Sequence, residues 1–279
     1  MRIAIAGLAC LLVLTACGDD PAPEPGPGGE TSSSAPVSTS EQASGSPTID
    51  KIKARGRMVV GVADNLAGVS RYDQDAGRHS GFDMKVAELL ATGFGLPKDS
   101  VRFRSTTAAT RLSTVESGDI DLAFGGIKTG AQGQVGLVGP YLPVSQTLLT
   151  RAGTGAGGVR SVCVVASSGA AERVTRYGRV REENNGDACA EALRGKSVDA
   201  FAGDDVVLRG YQVAEKGGFQ VLGVDLGATP GYHVGIPARD RVLRARIVEL
   251  LTAAMKDGSW AGLYRDSFGS PVPNPPTVK

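Results

Sequence analysis

Leu112 to Gly126 reads LSTVESGDIDLAFGG: a short helix stopped at Gly118, Ile120 and Asp121 at a strand entry, and an apolar run ending in Gly125-Gly126. The same grammar returns in Ala192 to Gly203, ALRGKSVDAFAG, with Gly195 as the stop, Val198-Asp199 at the entry and Gly203 at the end. A helix-to-strand unit used twice points to two similar α/β lobes.

Around the first copy, Thr110 to Glu116 reads as the helix and Ile120 to Phe124 as the strand. Upstream, Ile49 to Lys53 begins a short helix, and Met58-Val59-Val60-Gly61-Val62 reads as a buried strand. Asp83 to Thr92 places Met84, Val86, Ala87, Leu89 and Leu90 along an amphipathic helix, and Val101-Arg102-Phe103-Arg104 alternates as a strand. Strand, helix, strand, helix, strand implies a parallel sheet. The second half repeats it: Val162 to Val165 as a strand, Ala170 to Tyr177 and Cys189 to Arg194 as helices, Val198 to Ala202 as a strand. Two such lobes leave a crevice outside the carboxyl ends of their strands, where N–H groups and helix N-termini face a small anion or zwitterion.

The chain begins Met1-Arg2 and then runs apolar from Ile3 to Ala16, long enough for a signal-peptide core and too short to span a bilayer. That run ends Leu14-Thr15-Ala16-Cys17, which resembles the bacterial lipobox, whose cysteine is diacylated before cleavage. The alternative is an ordinary signal peptide in which Cys10 and Cys17 are incidental. From Gly18 to Pro47 there is almost no large apolar residue, so nothing offsets the entropy of ordering the segment, and a tether is expected. Residues 1–16 carry one charge, Arg2, so the net charge of +1 falls to zero without them, and no nucleic-acid partner is implied.

Beyond Cys17 only Cys163 and Cys189 remain. An exported chain sits where thiols oxidise, so one disulfide between them is the economical reading, with two separate buried thiols as the alternative. His79, in a polar turn, and His233 show no metal-ligand spacing, and neither metal nor cofactor is expected.

A set of short stretches then acquires meaning through its order: Val59-Val60-Gly61-Val62, Gly81-Phe82-Asp83, Arg111, Ser117 to Leu122, Gly139-Pro140-Tyr141, Val198-Asp199-Ala200, Asp204-Asp205, Tyr232, Gly235-Ile236-Pro237 and Asp257-Gly258-Ser259-Trp260. In this order they resemble the extracytoplasmic solute-binding proteins of ABC importers for polar amino acids, nearest the glutamate, aspartate and glutamine group. The resemblance covers nearly all of residues 49–269 and implies an α/β, two-lobed periplasmic-binding-protein type 2 fold with two parallel-type sheets joined by a two-strand hinge. It implies lobe 1 from residues 48–146 and 237–270, lobe 2 from 147–236 including the hinge, and a tail at 271–279, after a signal peptide at 1–16 and a tether at 17–47. It also places Cys163 and Cys189 where some actinobacterial relatives carry a disulfide.

The resemblance assigns ligand roles residue by residue. Asp204 aligns with the aspartate that accepts the ligand's α-ammonium, and a surface carboxylate beside Asp205 is the plainer alternative. Arg111 aligns with the arginine that reads a side-chain carboxylate, a task suited to a guanidinium fork, and a solvated helix face is its alternative. Asp64-Asn65 falls where relatives line the cleft, though both are common turn residues. Ser167-Ser168-Gly169 precedes a helix and offers hydroxyls and N–H groups to a carboxylate, while an N-cap alone explains the serines equally well. The family's carboxylate-clamping arginine has no counterpart: the segment reads Gly125-Gly126-Ile127-Lys128-Thr129-Gly130-Ala131-Gln132, and the aligned position is Ala131 or Gln132. Lys128 or Thr129 is then the expected partial replacement. Tyr72 is placed in a loop after the first strand, either closing over a ligand or packing at the rim, and Trp260 in a structural closing helix.

The implied protein is a lipid-anchored monomer on the outer face of the cell membrane. It captures a polar amino acid, glutamate-like, for the permease of an ABC importer. A second reading keeps the fold and makes the chain a sensor signalling to a membrane partner. A third, enzymatic reading follows from periplasmic dehydratases of similar fold, and lacks an identifiable nucleophile-base pair or cleft glutamate, so no enzyme is expected.

Overall fold

The structure is a computed structural model and describes residues 43–130, 135–166 and 168–279. The signal segment, Cys17, most of the expected tether, positions 131 and 132, and Ser167 lie outside the described residues. No helix among the described residues is long and apolar enough to cross a membrane.

Ser46 starts the first helix. Its backbone is extended, its hydroxyl accepts the Ile49 N–H and donates to Asp240 Oδ2 at 2.7 Å, and Pro47 takes the first helical position of α1 (Pro47–Arg55). Gly56, at φ 66, ends the helix in the left-handed conformation. Ser46 is fully buried, so the expected tether gives way to folded chain before Pro47: polar capping bonds hold residues that offer no apolar surface.

The elements that follow are β1 (Met58–Val62), β2 (Asn65–Leu66), β3 (Ser70–Asp73), β4 (Arg78–Ser80), α2 (Phe82–Gly93), β5 (Val101–Ser105), α3 (Arg111–Glu116), β6 (Leu122–Ala123) and β7 (Val135–Leu142). Next come β8 (Gln146–Arg151), β9 (Ser161–Val165), α4 (Ala171–Val174), β10 (Arg179–Glu183), α5 (Gly186–Arg194), β11 (Ala200–Asp204), α6 (Asp205–Ala214) and β12 (Phe219–Leu222). The chain returns through β13 (Tyr232–Pro237) and closes with α7 (Arg241–Lys256) and α8 (Ser259–Phe268).

The two large sheets run β5-β1-β6-β13-β7 and β10-β9-β11-β8-β12, the same plan used twice. In each, the first three strands are parallel and the fourth is antiparallel to both neighbours, so the expected parallel sheets are mixed. The reversed strands belong to the chain's two crossings: β8 follows β7 out of the first sheet, and β13 follows β12 out of the second. Tyr232–Pro237 therefore pairs in the first sheet, whereas the lobe boundaries above put it almost wholly with the second. β6 is shorter than its apolar run, and Asp121 N–H and Phe124 N–H bond to the Val59 and Gly61 carbonyls of β1 at either end of it.

Apolar faces close the layers. Phe82, Val86, Ala87 and Leu90 of α2 are buried, and Phe82, Tyr141, Trp260, Tyr264 and Phe268 form an aromatic cluster in which Trp260 Nε1 donates to Tyr141 O at 2.8 Å. In the second lobe a disulfide joins Cys163 on β9 to Cys189 on α5, with Cα atoms 5.5 Å apart. α5 starts three residues before the expected Cys189, because Asn185 caps it through Ala188 N–H and the first turn carries no apolar signal.

The lobes meet at a contact between glycines. Gly210 of α6 lies against the backbone of Ala67 and Gly68, where an added Cβ would fall 2.6 Å from Gly68 N and closer still to the Ala67 carbonyl. Beside it Arg71 of β3 pairs with Asp187 at 2.8 Å, and Tyr211 O–H donates to the same carboxylate at 2.8 Å. That ion pair is half-exposed and contributes little to stability, so close backbone apposition carries the contact. Gly210→Ala should keep the fold, since alanine favours a helix interior by about 1 kcal/mol, and should prop the lobes apart. An increased radius of gyration in X-ray scattering, with ligand affinity at least tenfold lower, is the expected result. Unchanged scattering and binding would contradict it.

Candidate functional site

A cavity of about 1000 Å³ lies between the two large sheets. Its walls are segments beyond the carboxyl ends of parallel strands: 63–66 after β1, 105–112 after β5, 125–130 after β6, and, across from them, Ser168, Asn185, Gly186, Gly203 and Asp204. The strand-end crevice expected from the sequence is where the open space is.

Arg111 opens α3 and is buried, at 6% exposure, in the cavity wall. Its Nε donates to Thr106 Oγ1 at 3.0 Å, one terminal nitrogen to Thr106 O at 3.2 Å, and the other to Gly125 O. The solvated helix face offered as its alternative is thereby excluded. Gly125, at φ 96, is required here: a Cβ would stand 2.8 Å from Ala63 N and 3.0 Å from Arg111 Cζ. Burial lowers the guanidinium's pKa from its ordinary value, opposed first by the charge of Asp83. Asp83 is itself fully buried, and burial pushes its carboxyl up to about 7 against the Tyr141 hydroxyl, which donates to it at 2.6 Å, and the Arg111 charge.

Asp204 ends β11 and faces the cavity. Lys128 Nζ reaches both its oxygens, at 2.9 and 2.8 Å, Tyr232 O–H donates to Oδ2 at 2.6 Å, and Gln146 Nε2 approaches Oδ1 at 3.4 Å. The pair is well shielded, the side chains being 32% and 14% exposed. Burial, and next the Asp204 charge, raise the Tyr232 hydroxyl well above the ordinary tyrosine value, so it stays a proton donor. Asp204 is part of the cleft wall rather than a surface-loop carboxylate.

Asp64 lines the cavity at its rim, half-exposed, and contacts His79 Nε2 at 2.8 Å. His79 is thus on β4 with its side chain nearly buried, not in a turn. Tyr72 is on β3 rather than in a loop. It packs against His79 with ring centroids 4.9 Å apart and ring planes tilted by 59°, and is absent from the cavity wall, which favours the rim. Thr129 and Ser168 line the cavity and are exposed, while Gly169 does not line it. Ser168 Oγ lies 3.4 Å from Ala170 N, a turn contact, and α4 has four residues and no side-chain cap. The sequence reading missed Gln146 and the role of Tyr232. Both fall at lobe crossings, and only the Gly-rich run before Tyr232 hinted that the chain turns back there.

Comparison with known proteins agrees with this architecture. The model for bacterial extracellular solute-binding proteins, family 3, matches residues 58–270. The glutamate-binding protein GluB of Corynebacterium efficiens is 25% identical over 236 residues, covering 77% of this chain and 79% of that one. The glutamine-binding protein GlnH of the Bacillus subtilis ABC transporter is 24% identical over 275 residues, 94% of each. Among solved structures, an ancestral cationic amino acid solute-binding protein superposes with a TM-score of 0.66 at 22% identity, over 79% of this chain and 99% of that one. The solute receptor for L-cysteine of Neisseria gonorrhoeae gives 0.61 at 22% identity, over 78% and 92%. With its two matched sheets, its strand-end cleft and a family match across most of its length, the chain belongs to the bacterial extracellular solute-binding proteins, family 3.

Proposed function

We infer that this chain captures a small polar solute of glutamate-like size in its cleft and presents it, lobes closed, to the permease of an ABC importer. Lipidation at Cys17 would hold it on the outer face of the cell membrane as a monomer, with the segment after Cys17 as tether. The observation that carries the reading is the cavity of about 1000 Å³ with Arg111 and the Lys128–Asp204 pair in its wall. That volume suits a small solute with its hydration partly retained, and a buried guanidinium suits a carboxylate. The names of GluB and GlnH support an amino-acid-type solute. Thr129, Ser168 and Asp64, which line the cavity, would complete the contacts.

Calorimetry of the purified chain with glutamate, aspartate, glutamine, asparagine and their deaminated carbon skeletons tests the reading. At least one should bind at micromolar concentration or better, and silence with all of them would remove the cleft from this role. Arg111→Ala should weaken an acidic ligand more than its amide by about 1–3 kcal/mol, the scale of a charge-assisted hydrogen bond. Equal losses would take Arg111 out of carboxylate recognition and leave it as the brace between Thr106 and Gly125.

A further inference from the structure

Three carboxylates are buried among the described residues, and two are well supplied: Asp121 pairs with Arg55, and Asp240 accepts from Ser46, Thr48 and Leu243. Asp83, behind the cleft wall, is not. It is at 0% exposure, has no cation at ion-pair distance among the described residues, and takes one side-chain hydrogen bond, from Tyr141 to Oδ1, while Oδ2 has no donor. An ionised oxygen left bare in the interior is costly, so such a carboxyl holds its proton unless a charge close by opposes it.

The opposing charge is Arg111, in the cleft wall. Arg111 has no carboxylate at ion-pair distance among the described residues, and it spends three of its five N–H groups on Thr106 and Gly125. The anion that acts on it most is Asp83, ahead of Asp64, which is half-exposed and faces His79. Gly125 links the two, since its carbonyl accepts Arg111 and its N–H favours the ionised form of Asp83. The other titratable groups near Asp83 are Tyr141 of β7 and Tyr232 of β13, which feels its charge. Around α2 the remaining charges are occupied elsewhere: Lys85 with Asp266, Glu88 with Lys98, His79 of β4 with Asp64, and Arg246 of α7 on Gly93 O at the far end of the helix. Asp83 and Arg111 thus balance each other through the wall without forming an ion pair. A solute carboxylate on the two free N–H groups of Arg111 supplies that balance directly, and repels Asp83 through an interior that screens charge poorly.

We propose that Asp83 serves the cleft from behind it, as the counter-charge of Arg111 while the cleft is empty, and takes a proton on Oδ2 when a solute carboxylate settles on Arg111. Capture is then coupled to uptake of up to one proton from solvent. Below about 7, where burial already keeps Asp83 protonated, the solute finds Arg111 uncompensated and binds tightly. Above it the solute must drive the protonation, and affinity falls as pH rises. This rests on the reading of the cleft as the solute site and of Arg111 as its carboxylate partner.

The test is calorimetry of the full chain with L-glutamate and L-glutamine at pH 7 in PIPES and in Tris, which differ in heat of ionisation, and at pH 6 and 8. In the wild type the heat should depend on the buffer, giving uptake of at least about 0.3 protons per solute, and affinity should be at least about threefold weaker at pH 8 than at pH 6. Asp83→Asn stays neutral throughout. It should show no uptake, match the wild type at pH 6 and bind at least about threefold more tightly than it at pH 8, a gain that a purely structural role does not produce. Tyr141→Phe removes the donor on Oδ1, so it should move the loss of affinity to higher pH, and it decides the matter should Asp83→Asn fail to fold. Binding with no buffer dependence, uptake equally present in Asp83→Asn and so owed to another group such as His79, or a profile unmoved by Tyr141→Phe overturns the proposal and leaves the cleft as the solute site. Silence with both probes overturns both.

Discussion

As pH rises from about 4 to about 8, the wild-type chain is expected to lose up to about 4 kcal/mol of stability relative to Asp83→Asn, on the scale of 1.36 kcal/mol per pKa unit. Asp83 is fully buried at the start of α2, and burial raises its carboxyl to about 7 in the folded chain, against 3.8 for the free group. The folded state therefore binds the proton more tightly than the unfolded one. Between those two values the unfolded chain carries fewer protons at this site, so the slope of stability against pH is negative, and above about 7 it is flat. Other carboxylates act in the opposite sense: Asp199 and Asp240 are held below the ordinary value by hydrogen bonds that outweigh their burial, and favour the folded state once ionised. The difference between wild type and Asp83→Asn removes these shared contributions. Asparagine keeps an acceptor for the Tyr141 hydroxyl, and denaturant unfolding of both proteins at pH 4, 6 and 8 provides the curve. A difference that is constant with pH would mean that Asp83 is ionised in the folded chain throughout, held so by Arg111.

Reduction of the disulfide, or the double replacement of Cys163 and Cys189 by serine, should cost about 3.5 kcal/mol, the loop-closure entropy of a cross-link spanning residues of this separation. The two cysteines are 26 apart in sequence, and both are fully buried. Their bond ties β9, the second strand in its sheet, to α5, which packs over it, so the loss falls on the lobe that carries Asp204. A melting temperature lower by roughly 10 °C is expected for a chain of this size. Cleft binding should weaken less than stability, because neither cysteine lines the cavity. A melt unchanged by reductant, with alkylation confirming two free thiols, would show that packing alone holds α5 on the sheet.

Much of the fold was legible in local pattern. β1, α2, β5, α3, β9 and β11 fall within a few residues of the stretches read from apolar periodicity, because each buries one face or a short run against its layer. The three-stranded sheet of β2, β3 and β4 was not legible: its residues are mostly exposed, so no apolar alternation marks it, and the register comes from pairing alone. The reversed strands were missed for a different reason. Strand direction is a property of the chain's path between the two sheets, and residue pattern is blind to it. α5 began early because a polar cap and a glycine hold its first turn.

At the site, the sequence by itself determined which strand ends and which charged residues would border a cleft, since motif order specifies the fold and the fold places Arg111 at the start of α3 and Asp204 at the end of β11. It also determined that the segment from Gly125 to Gln134 carries Lys128 and no arginine. Only the tertiary structure decided what Lys128 does. It lies 76 residues from Asp204, in the other lobe, and which charges neutralise one another across a cleft depends on distances that local periodicity does not contain. That one contact sets Lys128 against Asp204, a pairing the local sequence gives no sign of.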